Sequence, residues 1–303
     1  MADTPSSKKY QLLLIIQDKI FNVATLSQYH LSLYISDAYF KIICVNPTTT
    51  QCLLLEVYRL AHGCSYQRIQ AIEQLYQDHP ILADRNWSAV TLCIGNQQYT
   101  LIPEQLFQEK KIADYLDFTC PIGSNAIRHF THASLNMTVA FAMDPQLLNW
   151  FQVTYDYAQL STIHQASSLI QGAWTYLRNN KPSLLPKVLV FVESRHLHIT
   201  VIHKSKLVYY NRFEYTSSDE LLYYVLIVVR ILKLDTGLHE VILGGNINKH
   251  SLAYKKACNY IRRLTLMNTL YYVKFGSAFP KKMMTAHLDV LSAHLCYKEL
   301  IGS

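Results

Sequence analysis

The sequence predicts a mixed α/β protein in which one supersecondary unit occurs twice. Residues 29–57 hold three consecutive strand patterns, LSLYIS, FKIICVN and QCLLLEV, joined by short polar breaks. Residues 187–215 repeat this with KVLVFVE, LHITVIH and LVYYNRFEY. Helix and strand patterns alternate after each triplet, the order of a layered α/β unit. Composition agrees: of 303 residues, 50% are hydrophobic and 16% charged, which suits two packed cores and excludes wholesale disorder. The 22 tyrosines against 9 glycines favour packed strands over flexible loops.

In chain order, residues 1–27 open with ADTPSSKK and are expected to be a loosely docked arm. In the first meander His30, Ser32, Tyr34 and Ser36 alternate with Leu31, Leu33 and Ile35, which predicts a strand with one wet face. Ile69, Ile72, Leu75 and Tyr76 recur at helical spacing and predict a helix from Ser65 to about Gln77. Ala89–Ile94 and Tyr99–Ile102 read as a hairpin around Gly95-Asn96, and Pro103 opens a helix to about Leu116. Met137–Met143 is a strand. Asp144-Pro145 is a capped helix start; that helix, a strand at Leu160–His164 and a helix to Arg178 complete a first domain, 28–180. The boundary falls in the polar, proline-containing segment 179–183.

The second domain, 181–280, continues after its meander with Ser217-Ser218-Asp219-Glu220, a capping box before an apolar helix. A strand at Glu240–Leu243, a helix over Ser251–Leu264, a strand at Leu270–Phe275 and a C-terminal helix over 281–303 follow.

Several function classes lack their sequence signature. The apolar run Leu221–Leu232 contains Arg230 and is too short to span a bilayer, so no membrane insertion is expected. The run Leu12–Ile16 is too short for a signal peptide, and the seven cysteines form no C-x-x-C pair; reduced thiols in a cytoplasmic protein are expected. There is no G-x-S-x-G and no G-x-x-x-x-G-K. His196 and His198 share a strand face and His129 and His132 are one helical turn apart, but neither pair has a third ligand, so no metal site is assigned. The net charge of +7 permits an anionic partner.

The element order, the segment Leu243-Gly244-Gly245-Asn246-Ile247 and the helix carrying Tyr254, Tyr260 and Ile261 resemble the actin-like ATPase superfamily, with its duplicated ribonuclease-H-like fold. They are similar more closely to an uncharacterised bacterial family, domain of unknown function 3822, over about residues 25–300. The resemblance implies a last helix that returns to the first domain. It also implies ATP with magnesium between two domains, each contributing a first hairpin with an acidic residue and a glycine turn whose amides hold phosphate. Here the first hairpin turns through Ile35-Ser36-Asp37-Ala38-Tyr39 and the second through Val192-Glu193-Ser194-Arg195-His196: both are acidic and neither has a glycine. Gly244-Gly245 resembles the adenosine-side motif, and a lone glycine pair reads more readily as a tight turn that needs small residues without a ligand.

The expected function is therefore a non-catalytic binding or scaffold module with a protein partner, with ATP hydrolysis lost and no catalytic residue. One alternative keeps a nucleotide on Gly244, Gly245 and Asn246, with Asp37 or Glu193 near magnesium. Another binds nucleic acid or an acidic partner through Lys255, Lys256, Arg262 and Arg263 on one helix face.

Overall fold

The computed structural model describes residues 8–61, 65–155, 160–179 and 184–301. They form two compact units: Met1–Ser168 with Lys274–Phe279 and Asp289–Ser303, and Leu169–Val273 with Pro280–Leu288.

The first unit starts with β1 (Tyr10–Gln17), followed by the meander β2 (His30–Ser36), β3 (Tyr39–Asn46) and β4 (Gln51–Leu60). Helix α1 (Ser65–Asp78) then leads to β5 (Ala89–Gly95). A separate small sheet, β6 (Tyr99–Pro103), β7 (Ala126–His132) and β8 (Met137–Met143) in the order β6-β8-β7, comes next with helix α2 (Ile112–Asp117). Helix α3 (Pro145–Thr154) and β9 (Leu160–His164) return the chain to the main sheet, whose order is β1-β4-β3-β2-β5-β9. Asp144 caps α3 by accepting from the amides of Gln146 and Leu147, with Pro145 at the first helical position.

Helix α4 (Gln165–Asn179) contains the division between the units. The second unit repeats the scheme: a meander of β10 (Lys187–Val192), β11 (His196–His203) and β12 (Lys206–Glu214), then α5 (Ser218–Ile231), β13 (Glu240–Gly245), α6 (Leu252–Cys258) and β14 (Leu264–Leu266). Its sheet runs β12-β11-β10-β13-β14. In both units the third, second and first meander strands are followed by two parallel strands, so the duplication read in the sequence is present strand for strand. The chain closes with β15 (Lys274–Phe275), paired parallel with the start of β4, and helices α7 (Lys281–Met284), α8 (Leu288–Leu291) and α9 (Ala293–Ile301).

Each unit has its own core. In the first, Leu31, Leu33 and Ile35 of β2, Phe40 and Ile42 of β3 and Leu92 of β5 pack with Ile72, Leu75 and Tyr76 of α1 and Phe151 of α3. In the second, Val188, Val190, Ile199, Val201 and Leu243 pack with Leu221, Leu222 and Val225 of α5 and Ala257 of α6. Each fully buried side chain of this size contributes about 1.5–3 kcal/mol. Among the described residues no helix is long and apolar enough to cross a membrane.

Seven local expectations differ from the structure. Residues 10–17, read as part of an arm, form β1, paired antiparallel along β4, because the apolar run supplies a strand edge. Ala89–Ile94 and Tyr99–Ile102 are not a hairpin: β5 pairs parallel with β2, and β6 pairs antiparallel with β8. His30, Ser32 and Tyr34 are buried rather than wet, because α9 covers that face and Tyr297 stacks on His30 with ring centroids 4.8 Å apart. The helix expected after Pro103 is two short 3-10 turns before α2. His129 and His132 lie on β7, where an odd spacing puts them on opposite faces. The 251–264 helix stops at Cys258, and of the expected 270–275 strand only Lys274–Phe275 is strand, as β15, while Leu264–Leu266 forms β14 ahead of it. The proposed boundary segment beyond Asn179 lies outside the described residues up to Ser183.

Candidate functional site

In open α/β sheets ligands gather at the carboxyl ends of parallel strands. In the second unit that edge is formed by β10 and β13, in register from Lys187↔Glu240 to Val192↔Gly245. Glu193 and Asn246 follow directly, so the sequence-predicted residues Glu193, Gly244, Gly245 and Asn246 are neighbours.

Gly245 has φ +89, and a Cβ there would stand 2.2 Å from the carbonyl oxygen of Val192 and 2.7 Å from its nitrogen. Only glycine tolerates both. The Asn246 amide donates to that same carbonyl at 2.7 Å, and the Ile247 amide donates to the Gly245 carbonyl at 2.9 Å. At Gly244 a Cβ would meet Met267 Sδ at 3.3 Å, the mobile end of a side chain. The glycine pair thus lets β13 close over the end of β10, and two amides beyond it are bonded within the protein.

The second hairpin is tied down in the same way. The Glu193 amide donates to the His196 carbonyl at 2.8 Å and the Tyr215 hydroxyl donates to the Glu193 carbonyl at 2.6 Å. The Glu193 carboxylate lies 3.1 Å from His198 Nε2, and His198 Nδ1 is 2.9 Å from the Tyr210 hydroxyl. Both ring nitrogens of this buried histidine are therefore engaged. Burial, and next the Glu193 carboxylate, raise the Tyr215 hydroxyl above its ordinary pKa. Burial, then Arg212, lower the His196 imidazole.

In the first unit the equivalent register pairs Ser36 of β2 with Gly95 of β5. Asp37 follows Ser36, largely exposed, with its carboxylate 2.7 Å from Arg68 of α1. The residues after Gly95 were not picked out as a site in the sequence, although Gly95-Asn96 repeats Gly245-Asn246 at the same place in the fold. Asn96 Nδ2 donates to the Ala142 carbonyl at 2.7 Å, and its Oδ1 accepts from the Gln98 amide at 2.8 Å. Asn96 therefore fastens the small sheet to the end of β5. Comparing the two repeats with each other was the signal that could have found it.

A second feature without a sequence signal is a buried ion pair. Lys41 of β3 meets Asp289 of α8, with the ammonium 4.6 Å above the Tyr34 ring, and Ser168 donates to the Asp289 backbone carbonyl. The partners are 248 positions apart, a separation that no local pattern can report.

The four basic residues expected on one helix face are not arranged so. Because α6 ends at Cys258, only Lys255 and Lys256 are helical, and adjacent helix positions diverge. Lys256 Nζ is 2.6 Å and 2.8 Å from the two carboxylate oxygens of Asp219. Arg263 donates to the Leu238 carbonyl at 3.0 Å, and Arg262 is exposed beyond the helix.

Two ribonuclease-H-like sheets of the same order define the actin-like ATPase fold class. A protein of unknown function with this fold from Bacteroides thetaiotaomicron VPI-5482 is similar, with TM-score 0.73 and 17% identity, over 89% of this chain and 98% of that one. A chain of the PilM–PilN type IV pilus biogenesis complex is also similar, with TM-score 0.60 and 12% identity, over 89% and 98%. At these identities the likeness shows the fold. Among curated proteins none matches the sequence. The chain belongs to the family described as Protein of unknown function (DUF3822), whose model matches residues 18–264.

Proposed function

We propose that this chain is a non-catalytic binding module that engages a protein partner on an actin-like frame without ATP hydrolysis. The observation that carries the reading is the carboxyl edge of the second sheet, closed by its own hydrogen bonds: Asn246 to Val192, and Glu193 to His198. A nucleotide site needs amides that point outward and a carboxylate available to order magnesium. These residues do not fit that requirement. Asp37, already paired with Arg68, stands in a turn without glycine. The similar PilM–PilN structure is itself a complex of two proteins, which makes a protein partner the natural comparison.

On the first unit, Phe118 at the end of α2 is 93% exposed and Leu106 63% exposed. Single exposed apolar side chains are normal at a protein surface, and these two are the ones a partner on this unit would be tested against. Thermal melting with and without magnesium ATP tests the reading. A nucleotide at a hundred times its dissociation constant would stabilise by about 2.7 kcal/mol. No shift is expected, and a saturable one would overturn the proposal in favour of a nucleotide-binding protein. In the positive arm, a partner captured from lysate should be retained with or without magnesium ATP and weakened by Phe118→Ser.

A further inference from the structure

The two ends of the second sheet differ in charge. At its amino end the parallel strands β10, β13 and β14 begin, and β11 turns into β12. The Trp174 indole donates to the Ser205 carbonyl in that turn at 2.8 Å, which brings the last turn of α4 to the same edge. Helix α5 reaches the edge through residues 232–239, where the Leu238 carbonyl accepts from the Arg263 guanidinium at 3.0 Å. The Arg263 carbonyl in turn accepts from the Val241 amide at 3.0 Å, at the start of β13.

The exposed charges that these connections gather are cations. Arg178 ends α4, Lys204 and Lys206 flank the β11–β12 turn, Arg230 and Lys233 close α5, and Arg262 and Arg263 lead into β14; all are exposed. The acidic groups at this end are engaged within the unit: Asp235 accepts from the Gly237 amide at 2.7 Å, and Glu240 is paired with the largely buried Lys187 at 4.0 Å. The unit's other described acidic residues, Glu193, Glu214, Asp219 and Glu220, follow β10 and β12 and lie at the opposite end. There they mix with cations, Arg195 standing 3.8 Å from Glu214 and Lys256 2.6 Å from Asp219.

Aliphatic side chains stand among the amino-end cations. Leu184 is 85% exposed, Ile231 66% and Leu238 56%. The Leu184 carbonyl is 3.0 Å from the His203 ring, which holds this leucine beside the Lys204 turn. Trp174 is half-buried under the Arg178 guanidinium, 4.4 Å above its ring. Cations interspersed with aliphatic groups and an indole suit the boundary between lipid headgroups and acyl chains: the cations meet anionic headgroups and the aliphatic groups enter beneath them. Single-stranded nucleic acids favour aromatic platforms, whereas Leu184 and Ile231, the most exposed apolar groups of this edge, are aliphatic.

We propose that the amino end of the second sheet docks on an anionic lipid surface, with Arg178, Lys204, Arg230 and Arg262 at the headgroups and Leu184 and Leu238 at the acyl boundary. The association is peripheral and needs no spanning helix. It uses neither Glu193 nor Gly245, so it stands apart from the nucleotide question above.

Co-sedimentation of the full chain with phosphatidylcholine vesicles, with and without phosphatidylglycerol, tests the proposal. The chain should pellet with the anionic vesicles and stay in solution with the neutral ones, and binding should weaken as salt rises from about 50 to 200 mM. Each cation near such a surface strengthens binding about fivefold, so Arg230→Gln combined with Arg262→Gln should weaken it about thirtyfold. Lys206→Gln, on the exposed turn, gives a second reading should the arginine pair fail to fold. Leu184→Ser combined with Leu238→Ser should weaken the binding that persists at the higher salt. Arg195→Gln, at the opposite end, should leave binding unchanged. Absence of binding to anionic vesicles, or a loss in Arg195→Gln equal to that of the amino-end variants, would overturn the site. Tighter binding to a single-stranded oligonucleotide, unaffected by the leucine substitutions, would overturn the lipid reading in favour of nucleic acid.

Discussion

Replacing Gly245 by alanine separates a structural glycine from a ligand-contacting one. The new Cβ would lie 2.2 Å from the Val192 carbonyl oxygen and 2.9 Å from its carbon, where real contacts almost never fall below 3.0 Å. The obstructing atoms are backbone, in a strand paired on both sides, so relief requires β13 to move away from β10. Left-handed φ costs a non-glycine residue about 1–2 kcal/mol, overpacking about 1–3, and losing the Asn246–Val192 hydrogen bond about 0.5–1.5. The expected total is about 3–6 kcal/mol, much of the stability of an ordinary domain. At Gly244 the obstacle is the flexible end of Met267, and Gly244→Ala should cost less than about 1.5 kcal/mol. Two units need not unfold together, so urea denaturation should be followed by hydrogen exchange of peptides spanning β10 and β13. Gly245→Ala should lose protection in both at lower urea than the parent. A Gly245→Ala protein within about 1 kcal/mol of the parent, or one no less stable than Gly244→Ala, would refute the reasoning.

Two further outcomes follow from buried charge. Asp289→Ala leaves the Lys41 ammonium buried without its carboxylate and should cost about 3–5 kcal/mol, whereas Lys41→Met combined with Asp289→Leu should recover most of it in a denaturation series. Burial, then the charges of His294 and Lys298, push His30 down to about 3; burial and Lys298 push His294 down to about 4, despite its bond to the Leu291 carbonyl. Both rings stay neutral in the folded state while the unfolded chain takes up protons below its ordinary 6.5. Stability is therefore fully present above pH 6.5 and falls as pH drops toward the folded values, by up to about 1.4 kcal/mol per pH unit for each ring. Urea midpoints at pH 7 and pH 5 should differ less in a His30→Gln, His294→Gln protein than in the parent. An equal difference would remove the histidines as the cause.

Strand order was legible because apolar runs with short polar breaks specify meanders locally, and the second triplet repeats the first. Turn and cap chemistry was legible for the same reason: Asp144 and Ser217 accept from amides two or three residues ahead. What the sequence concealed was long-range. The polar residues of β2 looked wet because alternation cannot say what covers a face, and α9 lies more than 250 positions away. The 89–102 hairpin failed because Gly95-Asn96 has good turn chemistry, while the choice of partner strand depended on a parallel edge offered by β2. The end of α6 at Cys258 was hidden by basic residues that continue a helical spacing past it.

The same distinction bears on what the duplication means. A repeated strand order requires only that apolar strands recur, and the two sheets meet that with different side chains. A repeated phosphate site requires more: an outward carboxylate and turn amides without an internal acceptor, at both hairpins. Each hairpin instead has its carboxylate near a cation or imidazole of its own unit, Asp37 near Arg68 and Glu193 near His198. The surface pair with Asp37 contributes little and could yield to a ligand. The Glu193 contact is mostly buried, with Tyr210 on the other ring nitrogen, so opening it would remove one of the two hydrogen bonds that hold an already desolvated ring. The second hairpin, more than the first, is where the nucleotide reading meets its physical obstacle.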